Sequence, residues 1–182
     1  MIAVIDYDAG NIRSVEKALL FLGEQVRITG DAEDILSADK VILPGVGAFG
    51  DAMENIRRRG LETVIRDVAE SGKPFLGICL GLQLLFERSE EAPGVDGLGI
   101  LKGEILRIPE AEGMKIPHMG WNSLHLQNDG RLFRGIREQS YVYFVHSYYL
   151  KAEDEKIVKA TTEYCTPVSY THLRAHETDQ YL

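Results

Sequence analysis

Over the first hundred residues, short apolar runs alternate with longer amphipathic segments, and beyond that point the alternation stops. Ile2, Ala3, Val4 and Ile5 make a strand-length run that ends at Asp6. Gly10 and Asn11 then open a helix that carries Ile12, Val15, Leu19 and Leu22 on one face and is closed by Gly23. Residues 25–28 read as a second strand, 32–36 as a short helical turn and 41–43 as a third strand. Met53 and Ile56 belong to a helix after the third strand. Leu61, Val64, Ile65 and Val68 recur at helical spacing and lead to a fourth strand at residues 75–78. Strands alternating with helices predict a parallel sheet covered on both faces. From residue 104 the strand-like runs follow one another directly, at 104–108, 123–126, 141–145 and 156–161, which predicts antiparallel additions.

The fourth strand stops at Cys79, and Leu80, Gln83, Leu84 and Phe86 begin a helix-like pattern, so Cys79 falls on a strand-to-helix turn. Gly77 and Gly81 flank it two residues to either side. That is the glycine spacing of a nucleophile elbow, with cysteine in the place of serine. A thiol beside the free N–H groups of a helix start is favoured as thiolate, the form that attacks carbonyl carbon. The Leu80 N–H then points to where an oxyanion would form. A small buried cysteine at a packed turn is the plainer alternative, and the paired glycines favour the nucleophile.

The chain has 182 residues, 45% of them hydrophobic, enough for one sizeable core and one domain. A net charge of −8 argues against nucleic acid as the main partner. Two cysteines make no disulfide framework, and no apolar run is long enough to span a membrane, so a reducing, cytoplasmic setting is expected.

Other stretches admit chemical readings. Gly45, Gly47 and Gly50 match the spacing of a dinucleotide-binding loop, but they follow Pro44 and the third strand, and Asp67 and Glu70 fall within a helix. The same turn serves better as a second source of N–H groups for an oxyanion shared with Leu80, the alternative being a plain turn ahead of the helix that carries Met53 and Ile56. Arg57, Arg58 and Arg59 read as a solvated helix end, and residues 87–91 as a wet acidic surface. Trp121, the only tryptophan, sits between Pro117 and Asn122 in a segment read as a loop, as an interface residue or a member of a local core. His146 closes a strand and is more simply a hydrogen-bonded structural histidine than a catalytic one.

Taken together, these stretches resemble the class I, triad-type glutamine amidotransferases, specifically the glutaminase subunits of imidazole glycerol phosphate synthases. The resemblance covers residues 1–164 and rests on Pro44-Gly-Val-Gly47, Gly77-Ile-Cys-Leu-Gly-Leu-Gln83, Glu90-Glu-Ala-Pro-Gly94, Pro117-His-Met-Gly-Trp-Asn122, Tyr143-Phe-Val-His-Ser-Tyr148 and Thr161-Thr-Glu-Tyr164. It implies an α/β fold, a flavodoxin-like three-layer sandwich with a mixed, mostly parallel sheet. It also implies an activity: Cys79 attacks the side-chain amide of glutamine, and the Gly47 and Leu80 amides hold the oxyanion. Gly45, Gln83, Glu91, His146, Ser147 and Tyr148 would bind glutamine. The ammonia would pass to a (β/α)8 cyclase subunit that makes imidazole glycerol phosphate and AICAR in histidine biosynthesis, with Trp121, Asn122 and Tyr143 facing that partner. Neither cofactor nor metal is implied.

The family completes its triad with a His-Pro-Glu motif, which this sequence does not contain. On a strand, residues two apart share a face, as a base and its orienting carboxylate must. His172 and the adjacent pair His176 and Glu177 do not offer that arrangement. Residues 168–178 resemble one reading frame of a sequencing-library adapter, so the domain is expected to be C-terminally incomplete, with residues 165–182 a non-native tail. The chain as written is then expected to hydrolyse little glutamine, to be marginally stable, and at the limit to be a catalytically dead docking subunit.

Overall fold

The computed structural model describes residues 1–8, 11–127 and 131–164. The expectations placed on Gly10, Cys165, His172, His176, Glu177 and residues 168–178 lie outside the described residues. The chain divides into two compact units, Met1–Leu101 and a second that begins at Lys102.

The first unit runs β1 (Ile2–Ile5), α1 (Ile12–Phe21), β2 (Val26–Thr29), α2 (Ala32–Ser37), β3 (Lys40–Leu43), α3 (Phe49–Arg58), α4 (Leu61–Glu70), β4 (Phe75–Gly77), α5 (Leu80–Gln83) and β5 (Arg88–Ser89). Strands β1 to β4 form a parallel sheet in the order β2-β1-β3-β4. All four residues of β1 are buried, because a strand covered on both faces has no side on which to place a polar residue. Ile12, Val15 and Leu19 of α1 pack over Ile2, Val4 and Ile42 of the sheet. Phe49, Met53 and Ile56 of α3 and Leu61, Ile65 and Val68 of α4 are fully buried, and the two helices pack on one another. Leu22 does not join the apolar face of α1. The helix ends at Phe21, and Leu22, past its last turn, is 73% exposed.

Because β2 lies on one side of β1 and β3 on the other, the chain reverses its winding direction between β1 and β3. In open α/β sheets, the crevice at the carboxyl ends of strands at such a point is where ligands bind. The arginine run at the end of α3 is paired there rather than merely solvated. Arg59 and Arg58 both donate to Asp8, just past β1, and the Arg59 hydrogen bond holds the Asp8 carboxyl below its ordinary range. Arg57 donates to Glu62 and to the Asp96 carbonyl.

The second unit runs β6 (Gly103–Arg107), β7 (His118–Ser123), β8 (His125–Leu126), β9 (Tyr141–His146), β10 (Tyr148–Ala152) and β11 (Ala160–Thr161), with 3-10 turns at Arg131–Phe133 and Glu155–Ile157. Its pairings β6/β10, β7/β9 and β8/β11 are antiparallel, as the succession of strands implies. Two segments differ from expectation. Residues 118–122 are strand rather than loop: Pro117 and Gly120 look like breakers, yet Gly120 sits in register opposite Phe144. Of residues 156–161 only Ala160 and Thr161 are strand, since Asp154 caps a 3-10 turn ahead of them. The core of this unit is Ile108, Leu124, Phe133, Phe144 and Ala160. No helix among the described residues is long and apolar enough to cross a membrane.

Candidate active site

In the first unit the chemistry collects at the carboxyl ends of β1, β3 and β4. Cys79 follows β4 with φ 54° and ψ −117°, a backbone conformation that a non-glycine residue holds only where its surroundings force it. Tight packing supplies that force. A Cβ on Gly77 would lie 2.6 Å from the Leu82 Cα, and one on Gly81 would run into the Leu43 carbonyl. On the facing loop, a Cβ on Gly45 would collide with the Leu80–Gly81 peptide. The loop after β3 and the elbow therefore touch backbone to backbone, which side chains at these three positions would prevent. The Cys79 side chain is exposed.

The helix after Cys79 is a single turn of four residues, shorter than its apolar pattern suggests. A longer dipole therefore plays little part, and the local donors matter more. Gly81 donates to Ile78, while Leu82 and Gln83 both donate to the Cys79 carbonyl. The Leu80 N–H finds no acceptor among the described residues, and neither does the N–H of Gly47. Gly47 is exposed with φ +94°, between exposed Val46 and Ala48. Two unspent backbone donors, one on the loop and one on the elbow, are the elements an oxyanion hole needs.

The structure also uses two residues that fix this loop. Tyr7, directly after β1 and 1% exposed, donates its hydroxyl to the Pro44 carbonyl at 2.8 Å. Burial first, and then the charge of Cys79, push that hydroxyl above its ordinary pKa, so it remains a donor. At the other end of the loop, the half-buried Glu91 accepts from the Phe49 N–H at 3.0 Å. Residues 87–91 are thus not a purely wet surface: Ser89 is buried in β5, and Glu91 turns inward to α3. Gln83 is half-buried on α5. Nothing in the sequence pattern marks Tyr7, since one aromatic after a strand has no period.

The other expected residues lie in the second unit. His146, Ser147 and Tyr148 span the junction of β9 and β10 and are half-buried. The His146 Nδ1 is 2.9 Å from the Tyr148 carbonyl, which only accepts, so that nitrogen carries the hydrogen. Its Nε2 therefore receives the hydrogen bond of the His118 Nδ1–H at 3.2 Å. His118 is stacked between Phe144 and Tyr164. Burial holds His146 neutral, with its pKa lowered to about 4, and lowers His118 as well. The structural reading of His146 fits these contacts.

Trp121 and Tyr143 stand opposite one another on β7 and β9, with ring centroids 5.7 Å apart and edge to face. Trp121 is 69% exposed, which removes it from any local core. Met119, Tyr141 and Val145 share that outward face and are exposed too, while His118 and Phe144 point inward. The Asn122 side chain is used within the fold, donating to the Glu163 carbonyl and accepting from the Ser123 N–H. Among the described residues no group of three or more His, Cys, Asp or Glu side chains is placed to hold a metal ion.

Comparison with known proteins finds relatives over most of the chain. The family model for glutamine amidotransferase class-I matches residues 3–178. The chain is 55% identical over 163 residues to the imidazole glycerol phosphate synthase subunit HisH of Moorella thermoacetica, covering 90% of this chain and 77% of that one. It is 51% identical over 164 residues to the subunit of the same name from Methanocaldococcus jannaschii, covering 90% of this chain and 81% of the other. A crystal structure of a glutamine amidotransferase shares the fold, with a TM-score of 0.68 at 20% identity over 88% of this chain and 80% of that one.

Proposed function

The chain belongs to the class-I glutamine amidotransferase family and, within it, to the HisH subunits of imidazole glycerol phosphate synthase, and from that premise we propose that it is a glutaminase built on Cys79. The observation that carries the reading is the exposed, positive-φ Cys79 at an elbow whose neighbouring Leu80 N–H is unspent. The Cys79 thiolate attacks the glutamine side-chain amide carbon, and the resulting oxyanion sits between the Leu80 and Gly47 N–H groups. Collapse expels ammonia and leaves a glutamyl thioester, which water hydrolyses to glutamate. Gly45, Gln83 and Glu91 border this site.

Residues 1–101 contain no histidine to carry the proton from sulfur to the leaving ammonia. The ammonia goes to a cyclase subunit that forms imidazole glycerol phosphate and AICAR in histidine biosynthesis. That partner docks on the outward face of β7 and β9, where Trp121 and Tyr143 present aromatic surface, a residue class that dominates interfaces.

The test is ammonia release from glutamine with the cyclase subunit present. The expected result is turnover that falls about 10³-fold or more in Cys79→Ala. A complex that forms normally but releases no ammonia would leave the chain as a docking subunit only and end the catalytic reading.

A further inference from the structure

The turn after β1 supplies no group to the proposed reaction, yet it places the fully buried Tyr7 at the point where β1 and β3 part. We infer that Tyr7 is a positioning residue of the glutaminase, acting through the Pro44 carbonyl to hold the 44–48 loop where Gly47 faces the elbow. The inference rests on the proposed function, because it assigns the Gly47 N–H to the oxyanion.

Three observations carry it. The Tyr7 hydroxyl bond to Pro44 is buried and 2.8 Å long, and it joins the loops at the carboxyl ends of β1 and β3. The loop is fixed at both ends, by Tyr7 at Pro44 and by Glu91 at the Phe49 N–H, while Val46, Gly47 and Ala48 between them are exposed. Gly45 lies so close to Leu80 and Gly81 that a small shift of Pro44 moves the loop against the elbow itself. Tyr7 plays no part in proton transfer. Burial and the Cys79 charge keep its hydroxyl protonated, so it serves as a donor with a fixed acceptor. A misplaced oxyanion donor lowers the rate of forming a tetrahedral intermediate without weakening substrate binding.

The experiment uses the full chain and a γ-glutamyl p-nitrophenyl ester. Thiolate attack on the ester carbonyl gives the tetrahedral oxyanion, and collapse expels p-nitrophenolate, which needs no proton to leave. One equivalent of chromophore therefore reports acylation of Cys79. In parallel, iodoacetamide alkylates the same sulfur by displacement of iodide, a reaction that forms no oxyanion. In Tyr7→Phe the acylation rate at saturating ester is expected to fall about tenfold. The half-saturating ester concentration and the alkylation rate are expected to stay within twofold of wild type.

4-Fluorophenylalanine at position 7 fills the hydroxyl volume without donating and is expected to give the same fall even if Tyr7→Phe does not fold. 4-Aminophenylalanine, which donates again, is expected to restore acylation to within twofold. Acylation unchanged in the non-donating variants overturns the inference. So does a rise in half-saturation alone, an equal loss of alkylation, or failure of the amino variant to recover. If the wild-type chain shows no burst while iodoacetamide still labels Cys79, the glutaminase reading falls first and this inference with it.

Discussion

The elbow of the first unit and the β7/β9 ribbon of the second are built from opposite materials. At the elbow the working parts are backbone: N–H groups of Leu80 and Gly47, close contacts at Gly45, Gly77 and Gly81, and a Cys79 conformation imposed by packing. On the ribbon the backbone is ordinary antiparallel ladder, and what is distinctive is a row of side chains, Met119, Trp121, Tyr143 and Val145, facing outward. A site made of backbone fails when a side chain is added; a surface made of side chains fails when one is removed.

The largest expected effect follows from the first half of that contrast. In Gly81→Ala the new methyl meets the Leu43 carbonyl, which belongs to a buried strand and cannot yield. The cost is about 3 kcal/mol or more. Thermal or denaturant melts of the variant check it, and a melt within about 1 kcal/mol of wild type would show that the elbow is looser than its geometry.

The second unit has its own vulnerability behind the ribbon. His146 has its pKa lowered from 6.5 to about 4 in the folded chain, so the unfolded chain binds more protons between those values. Its contribution is fully present above about pH 6.5 and is lost as pH falls toward 4, a loss of about 3 kcal/mol at most. His118, also lowered by burial, adds in the same direction. Urea melts between pH 7 and 4, alongside NMR titration of the histidines, measure it; the slope should flatten in His146→Gln. A stability independent of pH over that range would contradict the neutral pair.

Trp121→Ala sharpens the contrast from the other side. Because the ring is largely exposed, the chain's own stability should change by less than about 0.5 kcal/mol. Binding to the cyclase subunit should weaken by about 2 kcal/mol, roughly thirtyfold. Calorimetric titration with the partner, beside a melt of the free chain, separates the two.

The contrast also explains what is legible in the sequence. Backbone sites leave glycines, so the spacing of Gly77 and Gly81 and the run from Pro44 to Gly47 suffice to mark the elbow and its companion loop. The covered parallel sheet shows itself as unbroken apolar runs such as residues 2–5. The ribbon is harder to read, because Pro117 and Gly120 are turn formers by habit and only the register opposite β9 makes residues 118–122 a strand. Tyr7 and Glu91 are the hardest. Each acts through one hydrogen bond to a distant backbone atom, Pro44 or Phe49, and such a bond has no spacing to detect. Resemblance names Glu91, but its hold on α3 exists only in three dimensions.

Trp121 is the only tryptophan in the sequence, and it stands on the outward face of the ribbon with the edge of Tyr143 beside it. The molecule is therefore optically labelled at a single place. Indole emission reports this ribbon and no other part of the chain, so whatever covers that face moves the ring from water to a drier medium and shifts the colour of its fluorescence to the blue.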